Sequence, residues 1–281
     1  MKPRTSIMNP LALIALLGVP LVGCIDEEGT DAGEELLEED ELEAGAAIVV
    51  NNSPAYLVVY NNNIENMLPA NCNKGDWNRL FNYIKAQAQS PDLLVVQQIS
   101  NQAQLNTLTA RMTNELPGTY AGVIAIANPG SMGYDDNRCE VLKNHQTNAV
   151  IYRSDRFTKE GETRWRSDAP RAKTGPCENL SAPAGQDRVE NVGVLLYDRV
   201  AKQRVSVSSL HWPTSTWKGP ECADENIKEA NEASDRLGGT LKILAGDMNT
   251  SKGTKGWWND ARDFGFRDPI AETCPSSGCP D

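Results

Sequence analysis

Apolar residues fall along this chain in two alternating rhythms: short unbroken runs, and stripes at helical spacing. The run Ala55 to Tyr60, rich in Val and Tyr, predicts a strand. Asp76 then stands as a helix N-cap. Trp77, Leu80, Phe81 and Ile84 follow on one helical face, and Pro91 marks the stop. Leu93 to Val96 is a continuous apolar run of strand length, which predicts burial on both faces. Leu105, Leu108, Met112 and Leu116 form a second helical stripe. Asn148 to Tyr152, Val192 to Tyr197 and Val205 to Leu210 predict strands. Ile227, Ala230 and Leu237 line a helix closed by Gly238-Gly239, and Leu241 to Ala245 is a last short strand. Strands and helices in alternation predict one α/β domain over residues 47–281, with no internal repeat and no second linker. That length is ample for one core.

The first 46 residues follow a different pattern. Lys2 and Arg4 precede the apolar run Leu11 to Val22, which is too short to span a bilayer as a helix. It ends in Leu21-Val22-Gly23-Cys24, which resembles the lipobox of bacterial lipoproteins. The resemblance implies a signal peptide over residues 1–23 and lipid on the sulfur of Cys24. A plain secretory signal with an incidental Cys is the alternative. Residues 24–46 hold eleven acidic residues and no Lys or Arg, a self-repelling block that predicts a disordered tether. The expected location is the cell envelope, an inner or outer membrane lipoprotein touching the bilayer through its anchor only and monomeric.

Setting the tether and signal apart changes the meaning of the formal charge of −11. Eleven of the 38 acids and two of the 27 bases leave with them, so the domain carries 27 acids against 25 bases. Bulk charge therefore predicts no strong electrostatic grip on nucleic acid. Cys72, Cys139, Cys177, Cys222, Cys274 and Cys279 remain, an even six in an oxidising compartment, and they predict disulfides with the pairing open. Wide spacing and the lack of a Cys-x-x-Cys pair argue against a metal cluster. Arg153, Arg156, Arg164 and Arg166 lie close in sequence around Trp165. Their plain reading is a solvated surface, and their alternative is a contact to a phosphate or a base.

Four predicted strands run straight into polar residues: Asn61 to Asn66, Gln97-Gln98, His211, and Gly246-Asp247-Met248-Asn249. Strand ends are where a rigid scaffold presents chemistry. Taken singly, a Gly-Asp is an ordinary turn and a lone His an ordinary core residue. In order and spacing, however, these segments resemble the endonuclease/exonuclease/phosphatase superfamily of metal-dependent phosphohydrolases. Asn63-Ile64-Glu65-Asn66 is similar to the family's first motif, and Asp92 to Ile99 to its Asp-Ile-Leu-x-Leu-Gln-Glu-Val segment. Asn148 to Ser154 resembles its central strand, Leu210-His211 its strand-ending His, and Ile243 to Asn249 its Gly-Asp-Phe-Asn motif. Gly265-Phe266-Arg267-Asp268 is similar to the turn that follows.

The resemblance implies a four-layer α-β-β-α sandwich of two mixed sheets flanked by helices. It also implies hydrolysis of phosphodiesters, in nucleic acid or phospholipid, with Mg²⁺ or Mn²⁺. Carried over by position, Asn63 and Gln98 would hold the metal and His211 would donate to a phosphoryl oxygen. Asp247 and Asn249 would orient the water and bind the phosphate. Two departures stand out. Gln98 replaces the family's metal-binding Glu, offering a neutral carbonyl to a cation that favours carboxylates. No His follows Asn249, the only two being His145 and His211, so the family's closing Ser-Asp-His is missing and the last strand or strands are expected to be lacking. Loss of a general base costs ~10²–10⁴ in rate. Two functions therefore stand side by side: an envelope-anchored phosphodiesterase, and a surface binding module of the same fold whose chemistry is lost.

Overall fold

The computed structural model describes residues 47–64, 77–130, 145–167, 187–215, 219–252, 256–269 and 272. The signal, the tether, Cys24, the helix cap Asp76, and five of the disulfide candidates (Cys72, Cys139, Cys177, Cys274, Cys279) lie outside them. Cys222 is disulfide-bonded. No helix among the described residues is long and apolar enough to cross a membrane.

Two four-stranded mixed sheets form the centre. The first contains β1 (Val59–Asn63), β2 (Leu93–Ile99), β3 (Tyr120–Ile124) and β4 (Thr147–Arg153), in the order β1-β2-β4-β3. The second contains β5 (Phe157–Arg166), β6 (Glu190–Asp198), β7 (Gln203–His211) and β8 (Leu241–Asp247), in that order. Each sheet holds one parallel pair, β1 with β2 and β7 with β8. A parallel pair needs a crossover. Helix α1 (Asn78–Lys85) lies in the first crossover and α3 (Ala223–Leu237) in the second. Helix α2 (Gln102–Glu115) follows β2, and a short α4 (Trp257–Asp263) follows β8.

Side-chain alternation sorts the strands into layers. On β2, Leu94 and Val96 face outward to Phe81, Ile84, Leu105, Leu108 and Met112 of α1 and α2. Leu93 and Val95 face inward, where they meet Val192, Val194, Val205 and Val207 of the second sheet. Beyond that sheet, Leu210 and Trp212 pack against Ile227 and Ala230 of α3 and Trp257 of α4. The arrangement is the expected four-layer sandwich. Helix α3 ends where the Gly pair predicted, with Gly238 left-handed at φ 76°.

Three elements differ from the sequence reading. Strand β1 is displaced toward its polar end, because Asn61 to Asn63 pair in register with Val95 to Gln97. Strand β3 escapes detection because Ala121 and Gly122 break its apolar run. A Cβ on Gly122 would stand 2.8 Å from Leu105 Cδ1, so the small residue is where α2 approaches the sheet. Strand β5 is an edge strand of its sheet and half exposed, carrying charged residues that guard the edge and hide the strand signal.

The arginine run is also corrected. Arg153 and Arg156 are 1% exposed and do not form a solvated surface. Asp92 sits between them, its two oxygens 3.0 Å from Arg153 Nη1 and 3.0 Å from Arg156 Nη1. Asp198 takes a second bond from Arg156 at 2.8 Å. The network bolts the start of β2 to the end of β4 and to β6, at the end of the sandwich remote from the polar strand ends. Arg164 donates to the carbonyls of Ile124 and Ala125, tying the two sheets at β3 and β5. Trp165 packs half-buried against the third apolar cluster.

Candidate functional site

The C-terminal ends of both parallel pairs lie at the same end of the sandwich, and the polar residues meet there. In register, Asn63 stands beside Gln97 and His211 beside Asp247. Across the sheets, Asn63 Nδ2 donates to Asp247 Oδ2 at 2.9 Å, and Asn61 Nδ2 to the Gly246 carbonyl at 3.3 Å. Gln97 Nε2 donates to Asn61 Oδ1 at 3.0 Å and to Ser209 Oγ at 3.1 Å, and Ser209 in turn donates to the Val96 carbonyl at 2.9 Å. Four strand ends thus form one polar layer, with Gln97 and Ser209 buried, Asn63 and Asp247 half-buried and Asn61 exposed.

The loop after β8 is stitched to the end of β7. The Asn249 N–H donates to Asp247 Oδ1 at 3.0 Å, and Asn249 Nδ2 to the Trp212 carbonyl at 2.8 Å. The Trp212 N–H donates to the Asp247 carbonyl at 2.9 Å. Asn249 is left-handed at φ 50°, a conformation Asn tolerates better than most residues. Gly246 has a steric reason to be glycine. A Cβ there would meet the Leu210 carbonyl oxygen at 2.0 Å, so only glycine fits where β8 pairs with Leu210 just before His211 and Asp247.

A β-bulge shapes the other wall. The pairing of β2 with β4 shifts between Val96 and Ile99, and both of those residues face the outer helices. Two residues between two like-facing positions leave Gln97 and Gln98 sharing the inner side. Gln98 is left-handed at φ 59°, which costs a non-glycine residue about 1–3 kcal/mol. Its carbonyl oxygen is buried with no hydrogen-bond partner.

His211 is 1% exposed. Its Nε2 lies 3.9 Å from Asp247 Oδ2, beyond hydrogen-bond length, and its Nδ1 is buried with no partner. Burial pushes the imidazole from the ordinary 6.5 down to about 4. Asp247 opposes that shift and Arg188 adds to it. His211 is therefore neutral at pH 7. Its backbone is held by Asn191, whose Oδ1 accepts the His211 N–H at 2.9 Å and whose Nδ2 donates to Ser167 Oγ at 2.6 Å.

All five sequence-selected site residues are thus at one end of the sandwich: Asn63, His211, Asp247 and Asn249 in a single hydrogen-bonded or adjoining group, and Gln98 on the neighbouring bulge. Glu65 of the first motif lies outside the described residues. Asn61, Gln97, Arg188, Asn191 and Ser209 were not singled out. Asn61 and Gln97 stood next to selected residues. Arg188 and Asn191 carried no signal, since only the start of the antiparallel strand β6 brings them to this end, and Ser209, two residues before His211 on β7, reads in sequence as an ordinary strand residue.

For a hard divalent cation the donors are of the right kind but weak. Asn63 and Gln98 offer amide oxygens, and the unpartnered Gln98 Oε1 is free to coordinate. Asp247 is the one carboxylate of the group, and its oxygens already accept from Asn63 and Asn249. No group of three or more His, Cys, Asp or Glu that could hold a metal exists among the described residues. The residues fit a loosely held cation bound mainly through neutral oxygens.

No family model matches the chain, and no curated protein matches it in sequence. Solved structures do match in shape. The human Nocturnin catalytic domain with a bound sulfate anion is 15% identical, with 73% of this chain and 69% of that chain covered and a TM-score of 0.48. An endonuclease/exonuclease/phosphatase family protein from Bacteroides thetaiotaomicron is 18% identical over 71% of this chain and 64% of that one, TM-score 0.45. A mannosyl-6-phosphatase from the same organism is 18% identical over 71% and 67%, TM-score 0.45.

Proposed function

We propose that this chain is a phosphodiesterase that uses a divalent metal and is held at the cell envelope by lipid on Cys24. The observation that carries the reading is the convergence of Asn63, His211, Asp247 and Asn249 from three strand ends onto one site, with Asp247 bridged to Asn63 and Asn249. The order of sequence motifs, from Asn63 to Asp247-Met248-Asn249, supports the same class.

The chemistry follows from the residues. Asp247, fixed by two donors, is the carboxylate that orients the attacking water. His211, neutral at pH 7, offers an N–H to a phosphoryl oxygen without bringing a second positive charge beside Arg188. Donors aimed at developing charge in a site that excludes water are the largest lever such an enzyme has. Asn249 holds the loop that carries Asp247 to the Trp212 backbone, and Asn63 holds the carboxylate itself. Asn63 and Gln98 would hold the cation, which when bound neutralises charge on the phosphoryl group.

The second reading, a binding module that has lost turnover, rests on Gln98, which lowers the charge available to a cation. Hydrolysis of bis-p-nitrophenyl phosphate by the purified chain, with divalent cation or with EDTA, separates the two. Cation-dependent turnover abolished by Asp247→Ala supports the enzyme. Its absence in a folded protein supports the module.

A further inference from the structure

Among the described residues, no side chain grips the His211 ring. Its Nδ1 is buried with no hydrogen-bond partner, and its Nε2 lies 3.9 Å from Asp247 Oδ2. A ring held this way takes its position from packing and from the backbone that carries it.

That backbone has lost a strand partner. The pairing of β6 with β7 runs from Asp198 and Gln203 up to Val192 and Ser209, and stops two residues short of His211. On the other side β8 continues as far as Asp247. The Asn191 side chain takes over from the missing ladder. Its Oδ1 accepts the His211 N–H at 2.9 Å, in the role of a strand carbonyl. Its Nδ2 donates to Ser167 Oγ at 2.6 Å, which sets the way the amide faces. Asn191, Ser167 and His211 are 0%, 1% and 1% exposed, so these bonds are shielded from water.

The brace is anchored from both sheets. Asn148 Nδ2 of β4 donates to the carbonyls of Arg188 at 2.6 Å and Glu190 at 2.7 Å, which lead into Asn191. The Ser167 N–H donates to the Val189 carbonyl at 3.0 Å. A buried N–H must be satisfied by some acceptor, and a water would do. An amide anchored at both ends also fixes distance and direction.

We propose that Asn191 is a positioning residue: through the His211 N–H it sets where the imidazole meets a phosphoryl oxygen, with Ser167 and Asn148 holding it in place. The inference rests on the phosphodiesterase reading for what His211 does. A misplaced donor loses its hold on developing charge more than on the bound substrate, so kcat falls and KM changes little. A displacement of about 1 Å can cost about 10²-fold.

Asn191→Ala in the full chain tests this, by hydrolysis of bis-p-nitrophenyl phosphate and by the imidazole NMR signals at one fixed pH. The chain has only two histidines, so His145→Gln assigns the His211 signals. Asn191→Ala should lower kcat by about tenfold or more, leave KM within about twofold, and move the His211 signals. Ser167→Ala loosens the amide without removing it. It should fall between the parent and Asn191→Ala, and it stands in if Asn191→Ala fails to fold. Asp92→Asn, at the remote end of the sandwich, is the stability control and should leave kcat and the His211 signals at the parent's values. His211 signals that stay put in the folded variants overturn the proposal, as does an unchanged kcat from an active parent. Changes that Asp92→Asn reproduces in full overturn it too, since they would report stability alone. A folded parent with no turnover sinks the phosphodiesterase reading, and the His211 signals then decide by themselves whether Asn191 places the ring.

Discussion

Replacing Asp92 by Asn tests the buried ion network at the end of the sandwich opposite the site. The change keeps the shape and removes the charge. Asp92 accepts from Arg153 at 3.0 Å, Arg156 at 3.0 Å, Asn51 Nδ2 at 2.7 Å and the Val58 N–H at 2.8 Å. Burial pushes the carboxyl above the usual range, while Arg156, the Val58 N–H, Asn51 and Arg153 pull it down. In the variant Arg156 keeps Asp198, but Arg153 is left with Asp155, whose side chain is 40% exposed. Breaking a buried pair costs about 3–5 kcal/mol, and the surviving partners place this case near 3. For a domain of this size that is a fall in Tm of roughly 6–12 °C. Urea unfolding followed by circular dichroism gives the number. Glu232→Gln, which opens the exposed pair with Arg236, serves as control and should cost at most about 1 kcal/mol. An Asp92→Asn loss no larger than the control's would refute the reasoning, because it would mean that the two guanidiniums do not depend on that carboxylate.

Three further outcomes are expected. Gly246→Ala forces a Cβ onto the Leu210 backbone and should cost about 1–3 kcal/mol in a thermal melt, with loss of hydrolysis as His211 and Asp247 are pushed apart. His211 has its folded value below its unfolded one, so its share of stability is complete above pH 6.5 and lost as pH falls toward about 4. In metal-free buffer, His211→Gln should therefore lose roughly 2–3 kcal/mol less than the parent between pH 7 and pH 4.5, and parallel losses would disprove the burial account. Cys24→Ala should release the chain from the membrane fraction into the soluble envelope or medium. Membrane retention in that variant would remove the lipid anchor from the account.

The parts of the fold that depend on burial could be read from the chain, and those that depend on neighbours could not. The continuous run of β2, the stripes of α2 and α3 and the Gly238 stop were legible because each buries a face against its own layer. Strand β5 was not, because an edge strand is exposed and charged. Arg153 and Arg156 misled for a related reason: only the fold brings Asp92 and Asp198 to them. At the site, Asn63, Gln98, His211, Asp247 and Asn249 were legible because each closes or closely follows an apolar strand run. Asn191 and Asn148 stand near the starts of antiparallel strands and Arg188 in the turn before β6, so their arrival at the same end is a property of topology. The amides at 97 and 98 read as a strand terminus, yet the structure puts both on the strand, where a bulge turns them inward.

The most direct test of the central claim is hydrolysis of bis-p-nitrophenyl phosphate by the purified chain and its Asp247→Ala variant, with and without divalent cation. The account predicts turnover that requires the cation and falls by about 10²-fold or more in Asp247→Ala. Turnover that persists in Asp247→Ala, or its absence from a folded parent supplied with Ca²⁺, Mg²⁺ or Mn²⁺, would contradict it.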